Sequence, residues 1–215
     1  LVAFYTGGAK GSDPNLPRMA NAGQFTQCMA YSLDSGRTWT KYTNNPVVPN
    51  ILGADNRDPK VFWYAPGNKW VMVLWVNNND YQIFGSTNLK NWTQASTFTF
   101  PGVIEVPDLF QLPLDGNTNS MKWIFWGGAG NYYIGTFDGN VFTAQSGPFT
   151  LRGGDCFAAT QTFNDVAGGR RVLIVHGTIQ FPGMPFNNNI NFPTDLTLRT
   201  SPSGARLYAS PVPEL

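Results

Sequence analysis

The stretch Asp58-Pro59-Lys60-Val61-Phe62-Trp63, followed by Lys69-Trp70-Val71-Met72-Val73-Leu74-Trp75 and Tyr81-Gln82-Ile83-Phe84-Gly85-Ser86, decides the fold. Its runs are short and rich in β-branched and aromatic residues, and Gly, Asn and Pro stand between them, so strands alternate with turns. A fourth run opens at Trp92. The layout then returns about every 47 to 50 residues. Glu105-Val106-Pro107-Asp108-Leu109-Phe110 leads to Lys122-Trp123-Ile124-Phe125-Trp126, Tyr132 to Phe137 and Val141-Phe142. Asp155-Cys156-Phe157-Ala158-Ala159-Thr160 leads to Arg171 to Val175, Asn191 to Arg199 and Arg206-Leu207-Tyr208. Four-stranded units at this period are the mark of propeller blades. The expectation is therefore all-β: a β-propeller of four-stranded antiparallel blades, about four of them in this chain. A β-sandwich is the alternative, and it does not predict so regular a repeat.

A shorter unit precedes these three, with strands at Leu1 to Thr6, Gln27 to Ser32 and Thr38 to Tyr42. The expected organisation is one propeller domain over residues 1–215, with a partial blade at 1–45 and full blades at 57–100, 104–150 and 154–210. Leu1 opens directly onto the strand-like Val2-Ala3-Phe4-Tyr5, so a preceding segment is expected to be absent. Asp34-Ser35-Gly36 and Asn88-Leu89-Lys90-Asn91 fall where outer hairpins should turn. No amphipathic helix is readable.

Composition narrows the function classes. Charged residues are 13% and the net charge is +1, which argues against nucleic acid as a partner. Aromatics at 14% are too many for a disordered chain. No apolar run reaches the roughly 18 residues of a membrane helix, so no membrane partner is expected. Cys28 and Cys156 allow one disulfide or two buried thiols. His176 is the only histidine, and no Cys/His ligand spacing or phosphate-binding glycine loop occurs, so no metal and no cofactor are expected.

The first strand of each blade lines a propeller's central channel. Asp58, Glu105 and Asp155 open the three full units, so the repeat is expected to gather three carboxylates at one register around one axis. Glycosidic cleavage needs such a set: one carboxylic acid protonates the leaving oxygen and another carboxylate acts opposite it. Acids at strand starts also cap turns and bind water, which is the plainer reading of each taken singly. Trp63 and Trp126 lie near strand ends, where an indole face can pack on sugar C–H groups or simply fill the space between blades.

Here the residues resemble a known family. Arg57-Asp58-Pro59-Lys60-Val61-Phe62-Trp63 is similar to the R-D-P-K-V-F-W element of glycoside hydrolase family 32, whose propellers have five blades. Glu105-Val106-Pro107-Asp108-Leu109-Phe110 resembles its E-C-P-D-L-F element, and Asp155-Cys156-Phe157-Ala158 its D-F-Y-A element. Ala30-Tyr31-Ser32-Leu33-Asp34-Ser35-Gly36-Arg37-Thr38-Trp39, Leu89-Lys90-Asn91-Trp92 and Phe192-Pro193-Thr194-Asp195-Leu196 agree as well, so the likeness covers almost the whole chain.

The resemblance implies that Asp58 stabilises the transition state, with Arg57 beside it, and that Glu105 is general acid and then general base. It implies a substrate contact from Asp155, although Cys156 and Phe157 depart from the family's Phe-Tyr pair. Val106 stands where the family often has Cys. The implied ligand is a fructan, sucrose or another fructosyl-containing oligosaccharide, and the implied location is extracellular or periplasmic. The family's nucleophile is the Asp of a W-M-N-D-P-N-G element that this chain does not contain. Ser12-Asp13-Pro14-Asn15 is a lookalike in a loop after the first strand, which makes Asp13 a weak candidate. The expectation is that a preceding segment or a second chain supplies the nucleophile and completes the propeller, leaving this chain a weak or inactive hydrolase by itself. A non-catalytic carbohydrate-binding propeller and a rearranged four-bladed glycosidase are the competing readings.

Overall fold

A computed structural model of the chain describes residues 1–8, 25–51, 56–152, 154 and 156–215. It divides into two compact units, Leu1–Phe100 with Gly139–Val141, and Pro101–Asp138 with Phe142–Leu215. The described residues form strands and turns, and their helical content is two three-residue 3-10 turns, Ala65–Gly67 and Ala167–Gly169.

In the first unit, β1 (Val2–Gly7), β2 (Thr26–Tyr31) and β3 (Thr40–Lys41) make a three-stranded antiparallel sheet. The next sheet runs in sequence order through β4 (Arg57–Tyr64), β5 (Lys69–Asn77), β6 (Asp80–Ser86) and β7 (Thr93–Thr99), each antiparallel to the last. β5 is a central strand covered on both faces, which is why Val71 to Val76 reads as one apolar run without alternation. β7 is the outer strand and mostly exposed. Five of its seven residues are accordingly Thr, Gln or Ser. Val48, Met72, Leu74 and Phe84 form the unit's core, with Phe4 and Trp92 packed on it edge to face at 5.6 Å.

The second unit holds two more sheets of this kind. β8 (Asp108–Leu114), β9 (Asn117–Trp126), β10 (Asn131–Phe137) and β11 (Phe142–Thr150) form one antiparallel meander. β12 (Ala158–Thr162), β13 (Val172–Gly177), β15 (Thr194–Ser201) and β16 (Gly204–Pro211) form the other, with the two-residue β14 (Asn189–Ile190) paired to β13. A single parallel bridge, Leu198 to Leu114, joins the two into one nominal sheet. Between them lies a core built on Phe110, Ile124, Trp126, Tyr132, Leu173 and Leu198.

Both outer-hairpin turns use the device expected from Asp34 and Asn88. The Asp34 carboxylate accepts from the Thr38 N–H and hydroxyl at 2.9 and 2.7 Å and from the Ser32 hydroxyl at 2.7 Å. These bonds hold its carboxyl down at about 2. Asn88 Oδ1 accepts from the N–H groups of Lys90 and Asn91, and Ser86 takes the place of Ser32. In each turn an indole closes the loop: Trp39 donates to Gly36 O and Trp92 to Leu89 O. Cys28 is buried and Cys156 exposed, and both are free thiols.

Candidate active site

The first strands of the three full sheets share a local distortion. On β4 the register steps from Arg57, opposite Trp75, to Lys60, opposite Val73, so three residues advance against two. On β12 the step is from Ala158, opposite His176, to Gln161, opposite Ile174. Ahead of β8 the Gly128 N–H bonds Glu105 O, and Asp108 already faces Trp126, which is again three against two. Each is a β-bulge, the usual means of re-aiming a side chain at the end of a strand. The second residue of each bulge has a left-handed backbone: Asp58 at φ 62°, Val106 at 52° and Ala159 at 45°. Pro59 and Pro107 follow at the position where the interrupted ladder has least use for an N–H. In the third sheet that position is Thr160.

The bulges set the acids in a common frame, and it differs from the single register expected. Asp58 is the left-handed residue itself, Glu105 comes one residue before its counterpart Val106, and Asp155 stands four residues before Ala159. Asp155 lies outside the described residues, as does Asp13.

In the first unit Asp58 is half-buried and backed by a buried amide relay. Its N–H donates to Thr6 Oγ1 at 3.1 Å, and the Thr6 hydroxyl donates to Gln27 Oε1 at 3.0 Å. Gln27 Nε2 donates to Asn56 O at 2.7 Å, and Asn56 Nδ2 to Val76 O at 3.1 Å. Gln27 and Asn56 are fully buried polar side chains, so losing any link would strand a desolvated group. Sequence reasoning missed Thr6, Gln27 and Asn56, because the bonds that join them span 20 residues or more and leave no local pattern. Arg57 lies with its guanidinium 3.7 Å from the Asp58 carboxylate and 4.2 Å over the Trp75 ring. The Trp75 indole is fixed in turn by a 2.8 Å bond to Asn78 O.

In the second unit Glu105 is half-buried. Three residues on, Asp108 is fully buried. Its Oδ2 accepts from the N–H and hydroxyl of Thr162 at 3.0 and 2.8 Å, and its Oδ1 from the Leu109 N–H at 2.8 Å. The clasp ties β8 to β12 directly behind the segment that carries Glu105.

The two tryptophans considered for substrate contact lie on β4 and β9. Trp63 is six positions along β4 from Arg57 and so about 16 Å from Asp58 at the usual strand rise. It packs edge to face on Trp70 at 5.1 Å. Trp126 is fully buried in the core between the second unit's sheets, with its indole N–H bonded to Thr160 Oγ1 at 2.6 Å, and offers no face to a ligand. His176 is half-buried on β13, opposite Ala158 and Ile190. Among the described residues no three His, Cys, Asp or Glu side chains cluster so as to hold a metal ion.

Four-stranded antiparallel sheets that repeat in sequence order are the units from which a β-propeller is built, and Asp58 and Glu105 stand at two of the bulges. The family model described as "Glycosyl hydrolases family 32 N-terminal domain" matches residues 1–211. The chain belongs to glycoside hydrolase family 32. It is similar to a levanase of Bacillus subtilis, 37% identical over all of this chain and 34% of the levanase. An extracellular exo-inulinase of Meyerozyma guilliermondii is 39% identical over 77% of this chain and 32% of its own length. The crystal structure of an exo-inulinase from Aspergillus awamori superposes with a TM-score of 0.83 at 31% identity, covering 98% of this chain and 48% of that one. The chain thus spans about a third of the length of these curated relatives and half of the solved structure.

Proposed function

We propose that this chain carries the acid/base and the transition-state stabiliser of a hydrolase acting on β-fructosyl linkages of fructans such as levan and inulin, or of sucrose. The observation that carries the reading is the family match over residues 1–211, with Asp58 in the bulge at the start of β4 and Glu105 in the one just ahead of β8. In this reading the two units are parts of one propeller domain, and both carboxylates reach one fructosyl ring. Glu105 protonates the leaving oxygen while an aspartate from outside residues 1–215 bonds to the anomeric carbon. Glu105 then takes a proton from the water that releases the sugar. Asp58 holds ring hydroxyls whose contacts tighten as positive charge develops, with Arg57 setting the field beside it. The same reading assigns the working protein to carbohydrate metabolism outside the cytoplasm, in line with an extracellular relative.

Azide tests this division of labour, because a small anion can take the nucleophile's part. Release of sugar from sucrose, inulin and levan by the chain is expected to be low, to rise with azide, and to be lost again in Glu105→Gln. Azide-dependent release that survives Glu105→Gln contradicts the acid role. Binding of fructan with no release under any condition instead supports a carbohydrate-binding propeller.

A further inference from the structure

We propose that Thr160, on the first strand of one sheet, is a positioning residue for Glu105 on the neighbouring sheet, acting through the backbone of Gly128. The inference rests on Glu105 being the acid/base, and it concerns how that side chain is aimed. Thr160 is fully buried. Its hydroxyl accepts from Trp126 Nε1 at 2.6 Å and donates to Gly128 O at 3.3 Å, and its N–H donates to the same oxygen at 3.3 Å. Across the Cα of the same glycine, in the preceding peptide unit, the Gly128 N–H donates to Glu105 O at 2.8 Å. A continuous path therefore runs from the Trp126 indole through Thr160 and Gly128 to the backbone of the acid.

Two further observations make this a device for aim as well as for packing. A Cβ on Gly128 would meet Val106 Cβ at 2.7 Å, and one on Gly127 would meet Val103 Cγ1 at 2.4 Å and Ile104 O at 2.6 Å. The segment bearing Glu105 thus lies directly on the backbone of the Gly127-Gly128 pair, closer than any side chain permits. Val106, immediately after the acid, is a β-branched residue at φ 52°, which the chain keeps only where its surroundings impose it. Together these contacts fix the Cα–Cβ direction of Glu105. The third repeat also departs from the other two at this point: where they have Pro59 and Pro107, it has Thr160, which supplies the N–H and the hydroxyl that the path requires.

The test reads the position of Glu105 without needing turnover, so it is independent of whether the chain cleaves sugar. Glu105 and Glu214 are the glutamates of the chain, and Glu214 is held by Arg170 at 2.6 Å. With carboxyl-labelled glutamate, Thr160→Val is expected to displace the Glu105 carbon resonance by more than its linewidth and leave that of Glu214 in place. Thr160→Ser should restore the native position. Val175→Ala, a core truncation on β13 outside the path, should lower the melting temperature without moving the Glu105 signal. Should Thr160→Val fail to fold, the native protein still decides. The Gly128 amide must then be strongly protected from hydrogen exchange. A Glu105 resonance unmoved in Thr160→Val, equally moved in Val175→Ala, or a rapidly exchanging Gly128 amide overturns the proposal.

Discussion

Gly127 and Gly128 show how closely two segments can be pressed when neither side chain intervenes. An alanine at Gly127 must push back both the Val103 side chain, which is fully buried, and the Ile104 carbonyl at 2.6 Å. Overpacking of this kind costs about 1–3 kcal/mol. Gly127→Ala is therefore expected to lower stability by that amount in urea unfolding, whereas Gly154→Ala, whose added methyl meets nothing within 4 Å, should change it by less than about 0.5 kcal/mol. The identities of Asp58 and Glu105 were legible as motif residues, but their backbone setting was not. Three acids near the starts of three repeats read as one register, because the extra residue of a bulge leaves no compositional mark. Trp126 was ambiguous for a similar reason: an aromatic near a strand end looks the same whether it faces a ligand or the next sheet.

At the level of elements, the alternation of turn and strand chemistry carried most of the information. The runs Lys69 to Trp75 and Tyr81 to Ser86 read as strands and are β5 and β6, whereas their central place and the outer place of β7 carry no mark of their own in the sequence. The turn at Asp34 was equally plain, and it gives a prediction with a definite sign. The folded-state carboxyl lies at about 2, below its ordinary value near 4. The bonds from Thr38 and Ser32 therefore contribute fully above about pH 4, and that contribution is lost as the pH falls through 2. Asp34→Ala should melt below the native chain at pH 7, and the gap should narrow as the pH falls from 4 through 2. A gap that stays constant across this range would contradict the assignment. The relay behind Asp58 was illegible, since Thr6 and Asp58 are 52 residues apart and no local spacing links them.

On the scale of the whole molecule, repetition made the propeller readable, since each blade is a sequence-local meander and consecutive blades reuse one pattern. Function belongs to a different kind of information. The proposed function requires Asp58 and Glu105 to act on one sugar ring, and repetition alone does not fix that. A double-mutant cycle on binding measures it. Calorimetric titration of a levan-derived fructo-oligosaccharide into the native chain, Asp58→Asn, Glu105→Gln and the double variant gives their coupling energy. Residues that touch one ligand ring should couple by about 0.5–3 kcal/mol. If the two losses simply add, the carboxylates do not serve a common fructosyl site.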